Sequence, residues 1–276
     1  MSGILYLVAT PIGNLEDMTL RAIRILKEVD MIAAEDTRQT IKLLNHFEIS
    51  KPLTSFFRHN EEKKGDYIIS LLLEGSNIAL VSDAGTPAIS DPGEELVALA
   101  IAAGIKVVPI PGCVAAINGL IVSGLSTGRF TFEGFLPMNK RNRKERLEEL
   151  RNEKRTMIFY EAPHKLKSTL ADMREFWGNR KITFARELTK IHEEVLRLDL
   201  DAAILYFEEN PPKGEFVLIV EGFEGEISSE NFWENMTIRE HYEYYLEKGE
   251  ERMQATKLVA SDRGVSKREI YKELNG

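Results

Sequence analysis

The chain has only one cysteine, Cys113, in 276 residues. A single thiol excludes an intrachain disulfide and any cysteine-cluster metal site. The five histidines (His46, His59, His164, His192 and His241) show no ligand spacing of the HExxH kind, so no metal is expected. No apolar run approaches the roughly 18 residues of a membrane span, and the N-terminus carries no basic region followed by a cleavable apolar stretch. These absences predict a soluble, cytoplasmic protein with no membrane partner. Walker A and GxGxxG patterns are missing too, which disfavours a nucleoside triphosphate or a dinucleotide held by its pyrophosphate. Positive charge is in deficit, with 36 Lys and Arg against 44 Asp and Glu for a net charge of -8. That balance argues against indiscriminate nucleic-acid binding, which needs concentrated cations.

Two Gly/Pro-broken acidic loops are present, each directly after a short apolar strand. Residues 9–17 (ATPIGNLED) follow 4–8, and residues 82–93 (SDAGTPAISDPG) follow 78–81. Loops at the carboxyl ends of parallel strands are where open α/β sheets bind ligands. Ser82, Asp83, Thr86 and Asp91 offer carboxylates and hydroxyls to ammonium, sulfonium or ribose groups, and the prolines hold rigid turns. A cationic, ribose-bearing cofactor such as S-adenosylmethionine suits this set better than a polyphosphate. Tight strand-to-helix turns account for the same residues without any ligand.

The length predicts two domains with an appendage. Strand and helix alternate from residue 1 to about 112: strands at 4–8, 31–34, 54–57, 78–81 and 106–110, with helices after Thr19, over 67–73 and over 94–103. This alternation implies a mainly parallel sheet with right-handed crossovers. A helix rich in small residues over 114–122 closes the first α/β domain, 1–122. The second, 123–225, alternates again with more charge: strands at 129–135, 156–160, 181–186, 193–198 and 215–221, and helices over 142–150, 164–177 and 201–207, in a mixed sheet. Residues 226–276 form an acidic linker and a helical extension. In it, one helix turns inward Ala255, Leu258 and Val259, a turn falls at Gly264, and Ser266 caps a second helix carrying Ile270 and Leu274. That is helix-turn-helix spacing, with Lys267, Arg268 and Lys272 outward; a helical hairpin used for packing fits equally.

Several further stretches occur in order: LYLVATPIGNLEDMTLRA from Leu5, AEDTR from Ala34, SDAGTPAISDPG from Ser82, PGCVAA from Pro111, FEGFLP from Phe132, YEAPH from Tyr160 and ARELTK from Ala185. Together they resemble the ribosomal RNA small subunit methyltransferase I family, an RNA-modifying branch of the tetrapyrrole methylase superfamily. The resemblance covers about residues 3 to 222. It implies an α/β, two-domain, tetrapyrrole-methylase-like (class III) methyltransferase fold with a helix-turn-helix-like C-terminal extension. It also implies S-adenosyl-L-methionine in the cleft between the domains, a homodimer, and methylation of the ribose 2'-oxygen of a cytidine in the decoding region of 16S rRNA within the small ribosomal subunit. Where corrin-precursor methylases carry a GxGxGD-like first loop, this chain has ATPIGN from Ala9, a departure that favours the RNA branch.

By the same resemblance Pro11 lies beside the cofactor, Ser82, Asp83 and Thr86 line its methionine and ribose side, Val114 and Ala115 flank the adenosyl group, and Tyr160 and Glu161 close the cleft. Capping for Asp83 and core packing for Val114 and Ala115 are the plain alternatives. The basic cluster Lys140, Arg141, Arg143, Lys144 and Arg146 reads as a mobile arm for RNA phosphates or as a solvated helix face. Arg186 and Lys190, with Lys267 and Arg268, are further phosphate candidates. The EDTR stretch from Glu35 faces RNA, orients the first loop, or forms an ion pair at a helix start. Glu161, His164 and Lys190 are candidates for base or electrostatic helper, but no spacing singles out a catalytic base. Two other functions fit the residues: methylation of a tetrapyrrole or other small molecule, and a non-catalytic nucleic-acid-binding regulator.

Overall fold

The computed structural model describes residues 2–225, 233 and 235–275. It divides into two compact units, 1–223 and 224–276. The first unit opens with β1 (Ile4–Val8), α1 (Leu20–Glu28), β2 (Met31–Ala34), α2 (Thr37–His46), β3 (Leu53–Ser55), α3 (Glu61–Leu73), β4 (Ile78–Val81), α4 (Glu94–Ala102) and β5 (Lys106–Ile110). These strands make a parallel sheet in the order β3-β2-β4-β1-β5. Apolar clusters cover both of its faces, one around Leu26, Ile32 and Val81, the other around Phe56, Ile68 and Leu80. β4 is buried along its whole length, and for that reason it reads as a continuous apolar run. Thr19 caps α1 as expected, its hydroxyl accepting from the Ala22 N–H at 3.1 Å.

The chain continues through α5 (Ala115–Ser123), β6 (Phe130–Phe135), α6 (Lys140–Glu149), β7 (Thr156–Glu161), α7 (Pro163–Trp177), β8 (Lys181–Arg186), β9 (Glu194–Asp199), α8 (Leu200–Glu209) and β10 (Phe216–Val220). The second sheet is mixed, as expected, in the order β6-β7-β10-β8-β9, and only β6 runs parallel to its neighbour β7. Alternate residues of β10 serve its two faces. Phe216, Leu218 and Val220 pack with Trp177 and Phe184, while Val217 and Ile219 pack with Ala116 and Leu120 of α5.

That packing corrects the placement of α5, which was expected to close the first α/β domain. It lies on the second sheet because Gly119 lets it come close: a Cβ there would sit 3.1 Å from Val217 Cγ1. The chain therefore passes from one sheet to the other before this helix, at 111–114.

The second unit is a three-helix cluster: α9 (Ile238–Glu247), α10 (Arg252–Asp262) and α11 (Lys267–Asn275). Val259, Ala260 and Ile270 form its core against Ile238, Tyr242, Tyr245 and Leu274. Ser266 accepts from the Glu269 N–H while the Glu269 carboxylate reaches back to the Ser266 N–H, a capping box that supports the expected turn. Buried His241 bridges α9 and α10. Arg263 Nε donates to its Nδ1 at 3.1 Å, so Nε2 carries the proton toward Asp262, also at 3.1 Å. Burial pushes the imidazole pKa down and favours this neutral form. Residues 226–230, the main part of the expected acidic linker, lie outside the described residues.

Candidate functional site

The site grows from three loops tied together by backbone. After β1, the Thr10 N–H donates to Gly85 O at 2.8 Å and the Gly85 N–H returns to Thr10 O at 3.1 Å, joining the first loop to the loop after β4. The Thr86 hydroxyl then donates to Cys113 O at 3.0 Å, tying in the loop after β5. Asp83 accepts the Asp36 N–H at 2.9 Å, and Glu35 accepts the Asp83 N–H at 3.4 Å, so the loops after β2 and β4 hold each other. Asp83 thus secures a neighbouring loop rather than capping a helix. Arg38 turns back on Asp36, the N-cap of α2, and holds that carboxyl down at about 2. Of the readings open for the EDTR stretch, the ion pair at a helix start is the one observed.

Opposite these loops stand the ends of β7 and β8 and the beginning of β10. They enclose a cavity of about 490 Å³ with Ile12, Val114, Tyr160, Leu188 and Val217 in its walls. Five of the eight cofactor candidates line it: Thr86, Val114, Ala115, Tyr160 and Glu161. Pro11, Ser82 and Asp83 line instead a second cavity of about 420 Å³, which shares Ile12, Ala84, Lys190 and Glu215 with the first.

Tyr160 has a structural task as well. Its hydroxyl accepts the Ala116 N–H at 3.2 Å, satisfying one of the free donors at the start of α5, which has no side-chain cap. Burial raises its pKa, so the phenol stays protonated. Phe132 and Phe135 meet its ring edge-on at 5.1 and 5.6 Å between centroids. Glu161 is 5% exposed, with one oxygen on the Ala162 N–H at 2.9 Å and the other on the Thr169 hydroxyl at 2.6 Å. His164 is exposed and lines neither cavity.

Lys190 stands where the cavities meet, its ammonium on Glu215 at 2.9 Å and on Glu187 at 3.0 Å. Partial burial works against the charge, but the two carboxylates outweigh it and raise the pKa. The first loop touches this segment so closely that a Cβ on Gly13 would lie 2.5 Å from Lys190 Cγ and 2.9 Å from Thr189 Oγ1.

The expected mobile arm is corrected to a fixed helix, α6, capped by Asn139 and packed on α7. Arg143 is buried and bonded to Asp172 at 2.6 Å, so it faces the core rather than phosphate. Arg141 pairs with Glu145, and Lys144 pairs with Glu175, while Lys140 is exposed. Arg186 is engaged by Glu194 and Lys213 O. Lys267 and Arg268 are exposed on α11.

Several wall residues were not expected from sequence: Phe135, Leu188, Glu187 and Glu215 among them. Glu215 lies between a Pro-Pro-Lys-Gly turn and the apolar strand β10, and only the antiparallel placing of β10 brings that beginning to the site edge. Asp91, named for its chemistry, does line the first cavity. Desolvation, reinforced by the charge of Glu35, pushes its carboxyl up to about 6. A carboxylate amid apolar walls suits a sulfonium or ammonium group, and among the described residues the one lysine in the wall, Lys190, is already neutralised. The residues present therefore fit S-adenosylmethionine and not a polyphosphate.

Asp91 gives this fit a pH signature. A bound cation favours the charged carboxylate, so binding releases a proton, and affinity is expected to rise with pH until about 6 and then level off. The stability of the free protein runs the other way: the stabilisation is fully present below the ordinary value of 3.8 and is lost as pH rises through about 6. Calorimetric titration with S-adenosylmethionine should show the rise in the native protein and a flat profile in Asp91→Asn. A native profile already flat below pH 6 would remove Asp91 from cofactor binding.

A family model described as Tetrapyrrole (Corrin/Porphyrin) Methylases matches residues 4–204. Similar proteins include the Ribosomal RNA small subunit methyltransferase I of Halalkalibacterium halodurans, 56% identical over 98% of this chain and 93% of the relative. Its namesake in Bacillus subtilis is 52% identical over the same shares. Among solved structures, diphthine synthase aligns with a TM-score of 0.62 at 14% identity over 80% of this chain and 90% of its own. The methyltransferase CobJ aligns at 0.60 with 20% identity over 80% and 95%, likenesses that speak for the fold alone. The two-sheet fold, its loop-built cavity and the match across 4–204 place the chain in one family: it belongs to the tetrapyrrole (corrin/porphyrin) methylases.

Proposed function

We propose that the protein is an S-adenosylmethionine-dependent methyltransferase of 16S rRNA, acting on the ribose 2'-oxygen of a cytidine in the decoding region. The observation that carries this reading is the 56% identity, over 98% of the chain, to a protein named for small-subunit rRNA methylation. The cavity chemistry supports the cofactor. The substrate is presented in the small ribosomal subunit, in the cytoplasm, and the enzyme works as a homodimer. Exposed Ile101 on α4 and Ile117 and Ile121 on α5 offer apolar surface for a second copy.

When bound, S-adenosylmethionine supplies a methyl group made electrophilic by its sulfonium. The chain's part is to bind, orient and exclude water. Val114 and Ala115 provide apolar walls, Thr86 and Tyr160 fix the loops that form them, and Asp91 supplies the negative charge. Holding nucleophile and methyl in line accounts for up to about 7–11 kcal/mol of such a barrier. Of the base candidates, Glu161 is committed to Ala162 and Thr169, His164 stands outside both cavities, and Lys190 is held protonated. Lys190, clamped by Glu187 and Glu215, instead fixes the wall where the two cavities meet.

Incubation with methyl-labelled cofactor and unmodified 30S subunits is expected to put label in 16S rRNA as 2'-O-methylcytidine. Label in a tetrapyrrole, or none in rRNA, would reject the reading. A chain ending at Gly225 is expected to keep cofactor affinity, because every residue of the cavity precedes it. The same truncation should lower methylation of 30S subunits if α11 presents Lys267 and Arg268 to RNA. Normal methylation would make the three-helix unit dispensable.

A further inference from the structure

The second cavity has lining of a different character from the first. Thr10, Pro11 and Leu15 come from the loop after β1, Gln39, Lys42 and Leu43 from α2, and Asp83 from the loop after β4. Its volume of about 420 Å³ falls within the range of small-molecule sites, about 300–1,000 Å³. It meets the cofactor cavity at Ile12, Ala84, Lys190 and Glu215. A group-transfer enzyme needs two adjoining compartments, and methyl transfer requires the nucleophile within van der Waals reach of the donor carbon.

We propose that this second cavity receives the target nucleotide, a single ribonucleotide splayed out of single-stranded RNA, and that Gln39 and Lys42 hold it; the inference rests on the rRNA-methyltransferase reading. RNA is read in sequence mainly where unstacked bases leave the strand and offer their edges and faces. Gln39 carries the amide that such an edge requires, with acceptor and donors side by side. Both Gln39 and Lys42 are exposed, and the Lys42 ammonium donates to the Gln39 oxygen at 3.1 Å, which orients the amide. Pro11, Leu15 and Leu43 give apolar surface for a base, and Leu15 is 40% exposed. Lys42 on the rim supplies a cation for the flanking phosphate. Lys190 at the junction sits where the ribose would meet the methyl donor.

The test uses the full chain and unmodified 30S subunits, with three variants on one helix. Gln39→Trp fills the cavity from an exposed position, Lys42→Glu reverses the rim charge, and Ile41→Trp is a control on a residue that lines neither cavity. For Gln39→Trp the expected result is a cofactor affinity within about threefold of the native value. Its kcat/KM for 30S subunits should fall about 100-fold. Lys42→Glu should raise KM for 30S subunits at unchanged cofactor affinity and change the log-log salt slope of RNA binding by about 0.7–0.9. Ile41→Trp should match the native enzyme. Native turnover in Gln39→Trp overturns the proposal, and so does a loss of cofactor affinity in step with turnover, which would make the cavity part of the cofactor site. Should Gln39→Trp fail to fold, Lys42→Glu decides alone. A native enzyme that binds cofactor but leaves 30S subunits unlabelled rejects the rRNA reading itself; one that labels them equally with and without the filled cavity rejects only this inference.

Discussion

Replacing Arg143 by alanine is expected to lower the stability of the protein by about 3–5 kcal/mol, the cost of leaving one partner of a buried ion pair uncompensated. The Arg143 and Asp172 side chains are only 11% and 10% exposed, and both Nε and Nη2 bond the same carboxylate oxygen, at 2.7 and 2.6 Å. The pair fixes α6 on α7 beside the bond from Trp177 Nε1 to Leu147 O. Urea unfolding should show a lower midpoint for Arg143→Ala, with Arg143→Lys intermediate because an ammonium lacks the planar fork. A stability change below about 1 kcal/mol, typical of exposed pairs, would return Arg143 to the RNA-facing surface.

The second large effect is expected on turnover. Gly13→Ala places a methyl group 2.5 Å from Lys190 Cγ and 2.9 Å from Thr189 Oγ1, so the first loop or the Lys190 segment must shift. That segment has little room to adapt, since Glu187 and Thr189 already hold positive φ of 50° and 67°. Displacing Lys190 by about 1 Å at the junction of the two cavities should cost about 100-fold in methyl transfer. Single-turnover measurement at saturating cofactor and 30S subunits checks it. Gly13→Ala turning over at the native rate would mean that Lys190 needs no fixed position.

In the first sheet β1, β4 and β5 were legible because each is a short apolar run ended by a Gly/Pro signal, and they fall where those signals place them. Thr19 and Ser266 were legible as caps for the same local reason. A helix start at the EDTR stretch was one reading, but the extent of α2 was not anticipated, nor was α9. α2 buries only Thr40 and Leu44, too sparse a stripe to stand out, although Asp36 is an N-cap signal; α9 carries its own, the capping box from Thr237 to Glu240. Arg143 was misread because a run of charge hides an inward position, yet Arg143, Leu147 and Leu150 lie at helical spacing on one buried face. In the site, residue chemistry pointed to the right loops but not to their division. Thr86 and Asp83 stand three residues apart and face different cavities, a distinction made by the pairing of Thr10 with Gly85 and of Asp83 with Asp36.

Every strand of the first sheet precedes every strand of the second, and α5 belongs to the second, so the polypeptide passes between them once. A protein with a single crossing can in principle be made as two separate chains that reassemble, and the location of that crossing decides which cut is tolerated. Parting the halves at 124–128 leaves α5 on the N-terminal fragment, where Ala116 and Leu120 lose the sheet that covers them and invite aggregation. Parting them at 111–114 keeps each apolar face with its own fragment but opens the wall at Val114. The cut that best preserves folding is thus the one that breaches the cavity wall at Val114.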